Sequence, residues 1–293
     1  MTIMKKLFLC LVSFIIMVGY GTSQSWILLP GSNEATSEIK LLDAKSNYTS
    51  TRVEFTLTAY SLKEVNTPQG IAYVVEAPKA SRILKKGAPD LPLYAKSVII
   101  PDTDEMEIVV LNSKYIEIPN VSVAPSKGNL LRTVNPADVP YSYGIEYQQD
   151  AYFPANIAYL REPYILRDFR AQALVIQPIQ YNPATKTLRI YTNLVIEVRS
   201  TGKQGINLFH RTKNLTAIDR EFNEIYKRQF VNYETTQKYT PLSDLPGNLL
   251  IICHDNYMSA MQPFVAWKIM KGIPTTMVGV STIGNNVTSI KIT

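Results

Sequence analysis

The last 46 residues constrain the fold of this chain more than any other segment, because they carry the pattern of one β-α-β unit. Asn248–Cys253 is a short apolar run, typical of a strand buried on both faces of a parallel sheet. Ser259–Lys271 has the helical spacing of apolar side chains, and Gly272 directly after it is a helix-stop signal. Thr275–Ser281 then returns to strand character.

A second helix is predicted over Asn286–Ile292, where the sequence stops. A parallel sheet needs several β-α-β units with both faces covered, and this segment is too short to bury one. We therefore expect the beginning of a larger α/β domain whose remaining units are absent.

The first 23 residues have the pattern of a cleaved secretory signal. Lys5 and Lys6 precede the apolar run Leu7–Val18, small residues follow it, and a cut before Gln24 fits this arrangement. The run is too short to span a bilayer, and no later stretch is longer and equally apolar, so we expect no membrane span. The predicted product is exported through the periplasm and is secreted or held at the cell surface.

Charge and residue counts argue against several kinds of partner and site. Removing Lys5 and Lys6 from 30 basic residues leaves 28 Lys and Arg against 24 Asp and Glu, a balance that predicts no nucleic-acid partner. Only Cys253 would remain after signal removal, which excludes an intrachain disulfide. No grouping has metal-ligand spacing and no Gly-rich loop fits a phosphate, so we expect no metal and no cofactor.

Residues 53–199 have the pattern of an antiparallel β domain. Val53, Phe55 and Leu57 alternate with polar residues, the period of a half-buried strand. Such strands, separated by turn signals, predict an antiparallel sandwich or barrel. Further strands are predicted over 71–76, 96–100, 106–111, 115–123, 171–181 and 187–199.

Three local patterns complete the organisation of the chain. Asn182–Thr185 (NPAT) lies between two predicted strands and is a hairpin turn signal. A linking helix is predicted over about 215–230, because Thr216–Asp219 has a capping-box pattern and Ile218, Phe222, Ile225 and Phe230 form an apolar stripe. Residues 235–247 are polar and contain two prolines, which predicts an exposed linker.

Two groups of motifs resemble one family. Gly87–Pro101 (GAPDLPLYAKSVIIP), with Ser126–Gly128 (SKG) and Asn135–Pro136, is similar to the prodomain of gingipain-type cysteine peptidases. The start of the mature catalytic domain of that family resembles Lys238–Pro241 (KYTP), Leu249–Ile252 (LLII), Phe264–Lys268 (FVAWK) and Lys271–Pro274 (KGIP). The order matches as well, from signal and prodomain to processing linker and catalytic start.

This resemblance implies a mostly β prodomain followed by the start of a caspase-like α/β domain. The boundaries expected are 1–23 for the signal, 24–238 for the prodomain and 239–293 for the catalytic fragment. In such a family the prodomain assists folding and keeps the peptidase latent, so the implied partner is a cognate catalytic domain, bound in cis or in trans. The alternative is an exported β-sandwich without peptidase activity, serving as an adhesin or glycan-binding module.

Cys253 and His254 invite a catalytic interpretation, because a thiolate paired with a base is what this class of peptidase uses. Neighbouring side chains on a strand point to opposite faces, so the imidazole cannot easily reach the thiol. We therefore interpret Cys253 as a small buried residue and His254 as a loop residue. The resemblance implies that the catalytic Cys and His lie on loops after later strands, beyond Thr293, so we expect no catalytic residue in this chain and an inactive product. His210 has charged neighbours and is interpreted as a surface residue.

Lys238 and Tyr239 are the predicted processing site, since a peptidase specific for basic side chains can cut an exposed linker. Arg228 is the alternative, although it lies in the predicted helix. For latency, a basic side chain on a prodomain loop would occupy the pocket that takes substrate Lys or Arg. Lys127 is the first choice for this inhibitory role and Arg132 the second, and for both the alternative is a solvated turn residue.

Overall fold

The computed structural model describes residues 25–211, 215, 217–218, 220–233, 240–241 and 247–292. They divide into two compact units, the first comprising residues up to 212 with 227–237 and the second comprising 213–226 with 238–293. The predicted signal, Thr216 and Asp219 of the capping pattern, and the junction Lys238–Tyr239 lie outside the described residues.

The first unit is built from antiparallel sheets. Its strands are β1 (Ile27–Leu28), β2 (Ser37–Ala44), β3 (Ser50–Leu57), β4 (Ala59–Thr67), β5 (Gly70–Glu76), β6 (Ser81–Arg82), β7 (Pro92–Ile99), β8 (Asp104–Ile118), β9 (Ala158–Leu160), β10 (Tyr164–Leu166), β11 (Phe169–Ile176), β12 (Ile179–Asn182) and β13 (Thr187–Gln204). One five-stranded sheet has the order β12-β13-β3-β2, with β8 also paired to β13. A second has the order β10-β11-β7-β6, with β9 also paired to β11, and β1-β4-β5 form a third.

The predicted antiparallel β class is confirmed, and the sheets are open, so a closed barrel is not what the described residues form. Val53, Phe55 and Leu57 are buried on one face of β3, as their alternation predicted. The two five-stranded sheets share one hydrophobic core, in which the rings of Phe55 from β3 and Tyr94 from β7 lie 4.9 Å apart. Burial of this core is the main source of the unit's stability.

Two strand predictions need correction. Residues 106–111 and 115–123 were predicted as separate strands, whereas β8 runs continuously over Asp104–Ile118 and absorbs the irregularity as register shifts against β13. Residues 171–181 were predicted as one strand, whereas the chain leaves one sheet after Ile176 and enters the other at Ile179. Pro178 lies at this crossing, where it has no N–H to donate and its carbonyl accepts from Tyr191 N.

The hairpin prediction at Asn182–Thr185 is confirmed, because β12 and β13 pair antiparallel on either side of it. The side-chain oxygen of Asn182 accepts from the backbone N–H groups of Ala184 and Thr185, at 3.0 and 3.3 Å. This Asx turn is the reason that asparagine is favoured at such positions.

Arg170 on β11 is fully buried. It binds the segments at the start of β8 and after the end of β13, and so connects the two five-stranded sheets. Its guanidinium donates to four backbone carbonyls at 2.7–2.9 Å, those of Pro101, Asp104, Ile206 and Asn207. A buried guanidinium must have its donors satisfied, and these carbonyls achieve this, since no carboxylate of the described residues binds Arg170 directly.

The predicted linking helix is α1, which spans Arg220–Gln229 and is shorter than the expected 215–230. Ile218 and Phe230 of the predicted stripe are buried, but Ile225 is 44% exposed. Tyr226 is buried in its place, because it lies one turn after Phe222 and their rings pack 5.7 Å apart.

The segment after α1 is bound firmly to the β structure of the first unit. Asn232 is fully buried, and its side chain donates to Thr51 Oγ1 and to the Ile99 carbonyl while accepting from Ile99 N, all at 2.8–2.9 Å. Phe230 and Tyr233 both pack edge-on against Phe169.

The second unit contains the predicted β-α-β arrangement. Its elements are β14 (Ala217–Ile218), β15 (Thr240–Pro241), β16 (Leu249–Cys253), α2 (Met258–Met270), β17 (Thr275–Gly279), α3 (Val280–Ile283) and α4 (Val287–Ile292). Strands β16 and β17 are parallel and in register from Leu249 opposite Thr275 to Cys253 opposite Gly279. The apolar run of β16 predicted a strand that is buried on both faces. Among the described residues this sheet has only two strands, and Leu250 of β16 is 42% exposed.

Candidate functional site

Residues 119–157 join β8 to β9 without forming a strand, and within them residues 127–143 make the most exposed excursion from the β structure. We call this excursion the 127–143 loop. A loop of this length that forms no strand of its own is usually functional when its ends are held.

Both ends of the loop are held by one segment, Gly87–Asp90, which we call the anchor segment. At the start of the loop, Gly87 N donates to the Ser126 carbonyl at 2.9 Å and Ser126 N donates to the Ala88 carbonyl at 2.7 Å. At the end of the loop, Gly144 N donates to the Gly87 carbonyl at 2.8 Å. The two arms of the loop therefore leave the β structure from the same place.

Glycine is required where the anchor segment meets the end of the loop. Gly87 has a φ of +83°, and a Cβ on it would lie 3.1 Å from Gly144 N. A Cβ on Gly144 would lie 2.7 Å from Glu146 Oε2. A side chain at position 87 would be strained and would crowd the Gly144 backbone, while one at position 144 would displace the Glu146 carboxylate and crowd the Gly87 backbone at 3.1 Å.

Charged groups reinforce the anchor. Asp90 is buried, and its Oδ2 accepts from Arg82 Nη1 at 2.6 Å. Burial raises the pKa of the Asp90 carboxyl above its ordinary value, although Arg82 opposes this shift. Beyond the loop, Lys85 Nζ lies 2.5 Å from Glu146 Oε1, and this hydrogen bond lowers the pKa of Glu146.

Lys127, at the start of the loop, reaches across to its far arm. Its Nζ donates to the Pro136 carbonyl at 2.6 Å and lies 4.3 Å from the centre of the Tyr141 ring, a cation–π distance. The side chain is only half exposed. Lys127 is therefore directed into the loop.

Arg132 has the opposite environment at the tip. It occupies a central position of a tight turn, closed by a hydrogen bond of 3.0 Å from Val134 N to the Leu131 carbonyl. Arg132 is exposed and its neighbour Leu131 is 75% exposed. The Asn135 side chain then caps the short 3-10 helix Pro136–Asp138 by accepting from its backbone. The tip thus presents, on a hydrogen-bonded turn, a basic side chain that has no hydrogen bond or ion pair with the residues that the structure describes.

The Propeptide_C25 family model matches residues 32–239, well over half of the chain. The chain belongs to this family. The resemblance predicted from the sequence is thereby confirmed, and the 127–143 loop lies inside a Propeptide_C25 region.

Curated relatives of this Propeptide_C25 chain include three gingipains of Porphyromonas gingivalis. Gingipain R1 is 38% identical over 252 residues, which are 86% of this chain and 25% of the relative. Gingipain R2 is 37% identical over 261 residues, 89% of this chain and 35% of the relative. Lys-gingipain HG66 is 22% identical over 283 residues, which are 92% of this chain and 16% of the relative. The chain thus spans 16 to 35% of the length of these relatives.

The solved structures that are similar to this chain include two of gingipains. A chain in the complex of Porphyromonas gingivalis RgpB pro- and mature domains matches with a TM-score of 0.61 and 40% identity, covering 67% of this chain and 98% of that chain. A chain in the structure on zymogenic latency of gingipain K, from the same organism, matches with a TM-score of 0.50 and 19% identity. The match covers 61% of this chain and 99% of that chain, and at this identity it supports the fold alone. The mostly β fold is therefore that of a gingipain propeptide.

Outside the Propeptide_C25 region, Cys253 and His254 do not form a thiol–imidazole pair in their hydrogen bonds. The Cys253 thiol donates to the His254 carbonyl at 3.4 Å, and His254 Nδ1 accepts from Asn256 N at 3.3 Å. His210 is exposed, as predicted for a surface residue. Among the described residues no group of His, Cys, Asp and Glu is arranged to hold a metal, and no helix is long and apolar enough to cross a membrane.

The sequence motifs contained the anchor segment without revealing its role. Gly87–Asp90 and Ala124–Ser126 lie far apart in sequence and are joined by a short antiparallel bridge between Pro89 and Pro125 and by the hydrogen bond from Gly87 N to the Ser126 carbonyl. The one available signal was that each stretch contains an Ala-Pro pair beside a residue of the family motifs. Tyr141, which completes the Lys127 contact, had no signal of its own.

Proposed function

We propose that this chain carries the latency-conferring and folding-assisting propeptide of a secreted gingipain-type cysteine peptidase precursor. The observation that supports this function best is the 127–143 loop, whose arms share one anchor and whose tip presents an exposed Arg132. Such a loop can enter the substrate groove of a cognate catalytic domain, in cis or in trans, and fill the pocket for a basic side chain.

Recognition in this proposal depends on the guanidinium. A pocket that takes substrate arginine offers carboxylate and carbonyl acceptors, and a guanidinium satisfies them with a fixed fork of donors. Arg132 fits this role better than Lys127, because the Lys127 ammonium is already bound to the Pro136 carbonyl and the Tyr141 ring. If Lys127 entered the pocket, both of these contacts would be lost. Arg132 has no such contact with the described residues and can enter without losing one.

Replacing Arg132 is therefore the direct test of the proposed function. We expect the chain to inhibit purified gingipain R2, and Arg132→Ala to weaken the inhibition constant by about 100-fold or more, since a charged anchor buried in a pocket contributes strongly to binding. Arg132→Lys should shift inhibition from gingipain R2 toward Lys-gingipain. The inhibition constants for gingipain R2 and Lys-gingipain are measured by adding increasing amounts of the chain while each enzyme hydrolyses an arginyl or a lysyl peptide substrate.

Arg161→Ala is the matched control, because Arg161 is also exposed and the described residues give it no ion pair. It should inhibit as well as the unchanged chain. The chain alone should not hydrolyse either substrate. Absence of inhibition at micromolar concentration, or equal inhibition by Arg132→Ala, would contradict the proposal, and thiol-dependent turnover by the chain alone would contradict its inactivity.

The remaining parts of the proposal follow the predicted organisation. Residues 1–23 direct export through the periplasm, 24–238 act as the propeptide and 239–293 begin the catalytic domain. Processing between Lys238 and Tyr239 would separate the last two. The match of the family model to residues 32–239 supports this division.

A further inference from the structure

An inhibitor that enters a substrate groove faces a chemical problem. The bond after its anchoring residue lies where the peptidase cuts, so tight ground-state binding alone does not protect it. If Arg132 fills the pocket for basic side chains, the bond at risk joins Arg132 to Thr133.

We infer that Lys127 is a positioning residue that makes the loop resist permanent cleavage between Arg132 and Thr133. The inference rests on the proposed function, since it assigns to Lys127 the persistence of the inhibition that Arg132 is proposed to cause. Lys127 precedes the bond at risk and Pro136 follows it, so the contact of 2.6 Å between Lys127 Nζ and the Pro136 carbonyl closes a ring around that bond.

Further contacts stiffen both sides of the ring. The hydrogen bond from Val134 N to the Leu131 carbonyl spans the bond at risk directly. The Lys127 ammonium also lies 4.3 Å from the centre of the Tyr141 ring, which stabilises it in this position. Outside the ring, the anchor segment fixes both arms through Ser126 and Gly144. A cut inside the ring therefore leaves two ends that are each still attached to the same support.

The chemistry that follows favours repair of the bond. Attack of the peptidase thiolate on the Arg132 carbonyl carbon forms a thioester and breaks the bond to the Thr133 nitrogen, which takes a proton from a general acid of the peptidase and leaves as an amine. Hydrolysis needs that amine to move away so that water can attack the thioester. If the amine is held close, its high effective concentration favours attack on the thioester carbon, which re-forms the peptide bond and releases the thiol.

The test follows the Arg132–Thr133 bond in the full chain incubated with gingipain R2. Lys127→Met keeps most of the aliphatic stem and removes the ammonium. We expect equal inhibition within the first minutes, followed by cleavage after Arg132 about tenfold faster than in the unchanged chain and by return of peptidase activity, because the lost hydrogen bond is charge-assisted. Intact mass spectrometry follows the cut and peptide hydrolysis follows the activity.

Three further variants separate positioning from a general loss of structure. Lys127→Arg keeps a donor and a cation for the ring, so it should restore persistence. Tyr141→Leu should behave as Lys127→Met does. Arg161→Met, which alters an exposed residue outside the loop, should change nothing. The urea midpoints of Lys127→Met, Lys127→Arg and Arg161→Met should equal that of the unchanged chain. That of Tyr141→Leu can be lower, because Tyr141 also packs against the buried residues Ala72, Val74 and Ala124.

The outcomes distinguish the two proposals. If the unchanged chain and Lys127→Met both fail to inhibit at early times, the proposed function fails. If both inhibit and both stay uncut for the same time, the role of Lys127 is wrong and the proposed function stands. If Lys127→Met is cut faster at many bonds and its urea midpoint falls, the residue stabilises the fold only and the inference is also wrong.

Discussion

At the scale of single residues, Asp90 illustrates how the anchor segment accommodates charge. Its Oδ2 is bound by Arg82, which also contacts Glu76 at 3.0 Å, while Oδ1 is buried without a hydrogen-bond partner among the described residues. An unpartnered buried oxygen disfavours the ionised form, which is why burial dominates the pKa shift. The loop therefore rests on a carboxyl group that binds a proton more readily than a solvated aspartate.

This shift predicts a pH-dependent effect of Asp90→Asn. The folded pKa of Asp90 is raised above the unfolded value, so the stability that its proton contributes is fully present below about pH 3.8 and is lost as pH rises through the folded pKa. The free energy of unfolding of the unchanged chain should therefore increase relative to that of Asp90→Asn as pH is lowered from about 7 to about 4.

Urea unfolding at several pH values measures this difference. Gln69→Ala is the control, because Gln69 is exposed and its side chain does not titrate, so its replacement should give a difference that stays constant with pH. A difference for Asp90→Asn that is equally flat would contradict the assigned proton linkage.

At the scale of elements, the β12–β13 hairpin depends on its turn residue. Besides accepting from Ala184 and Thr185, the buried Asn182 side chain donates to Asp150 Oδ1 at 2.9 Å. One amide thus closes the turn and ties it to the segment ahead of β9. Local side-chain chemistry of this kind is the part of a β fold that can be inferred directly from sequence.

Asn182→Ala should lower the free energy of unfolding by about 1–2 kcal/mol, because the turn loses its acceptor and Asp150 loses a donor. The change is measured from the urea midpoint at constant slope. Asn156→Ala, at an exposed position with no side-chain hydrogen bond among the described residues, should leave the midpoint unchanged. Equal effects of the two substitutions would show that the Asx turn contributes nothing specific.

Sequence reasoning recovered elements whose signals are local. The alternation around Phe55, the Asn182 turn and the β16-α2-β17 unit were all predicted, because periodicity and turn chemistry depend on neighbouring residues. It failed at Pro178, where one apolar run serves two sheets, and it did not reveal the anchor segment. Both features depend on pairing between residues distant in sequence, which composition and spacing do not encode.

The order that we propose for the two loop candidates differs from the one that the sequence suggested. Lys127 was placed first because it lies in the Ser126–Gly128 turn, and the sequence gives no sign of what its side chain contacts. The difference arises from Tyr141 and Pro136, whose positions relative to Lys127 are set by the anchor segment.

At the scale of the whole molecule, the chain contains a densely cored β unit and a second unit with much exposed apolar surface. In the second unit Phe264, Trp267, Ile269 and Met270 are each at least 40% exposed along α2. Exposed apolar surface on this scale is typical of a face that other structure covers. The proposed boundary at Lys238 lies in the sequence between the β unit with its buried core and helix α2 with its exposed apolar side chains.

Limited digestion with a lysine-specific peptidase should therefore cut first after Lys238 and release a fragment beginning at Tyr239, because the surrounding linker is polar and contains two prolines. Arg228 is a poor alternative for an arginine-specific enzyme, since it lies within α1 and its carbonyl accepts from Lys96 Nζ at 2.7 Å. Amino-terminal sequencing identifies the cut, and Lys238→Gln should abolish it. A first cut inside the β unit would contradict this boundary.

The shared anchor of the loop arms has a consequence for engineering. Because Gly87–Asp90 holds both arms, the residues between Lys127 and Tyr141 contribute nothing to the core that the two large sheets enclose. The tip is therefore an exchangeable cassette on a stable scaffold. If the loop inhibits as proposed, a recognition sequence for a different peptidase grafted between those two residues should change which peptidase is inhibited, without redesign of the supporting protein.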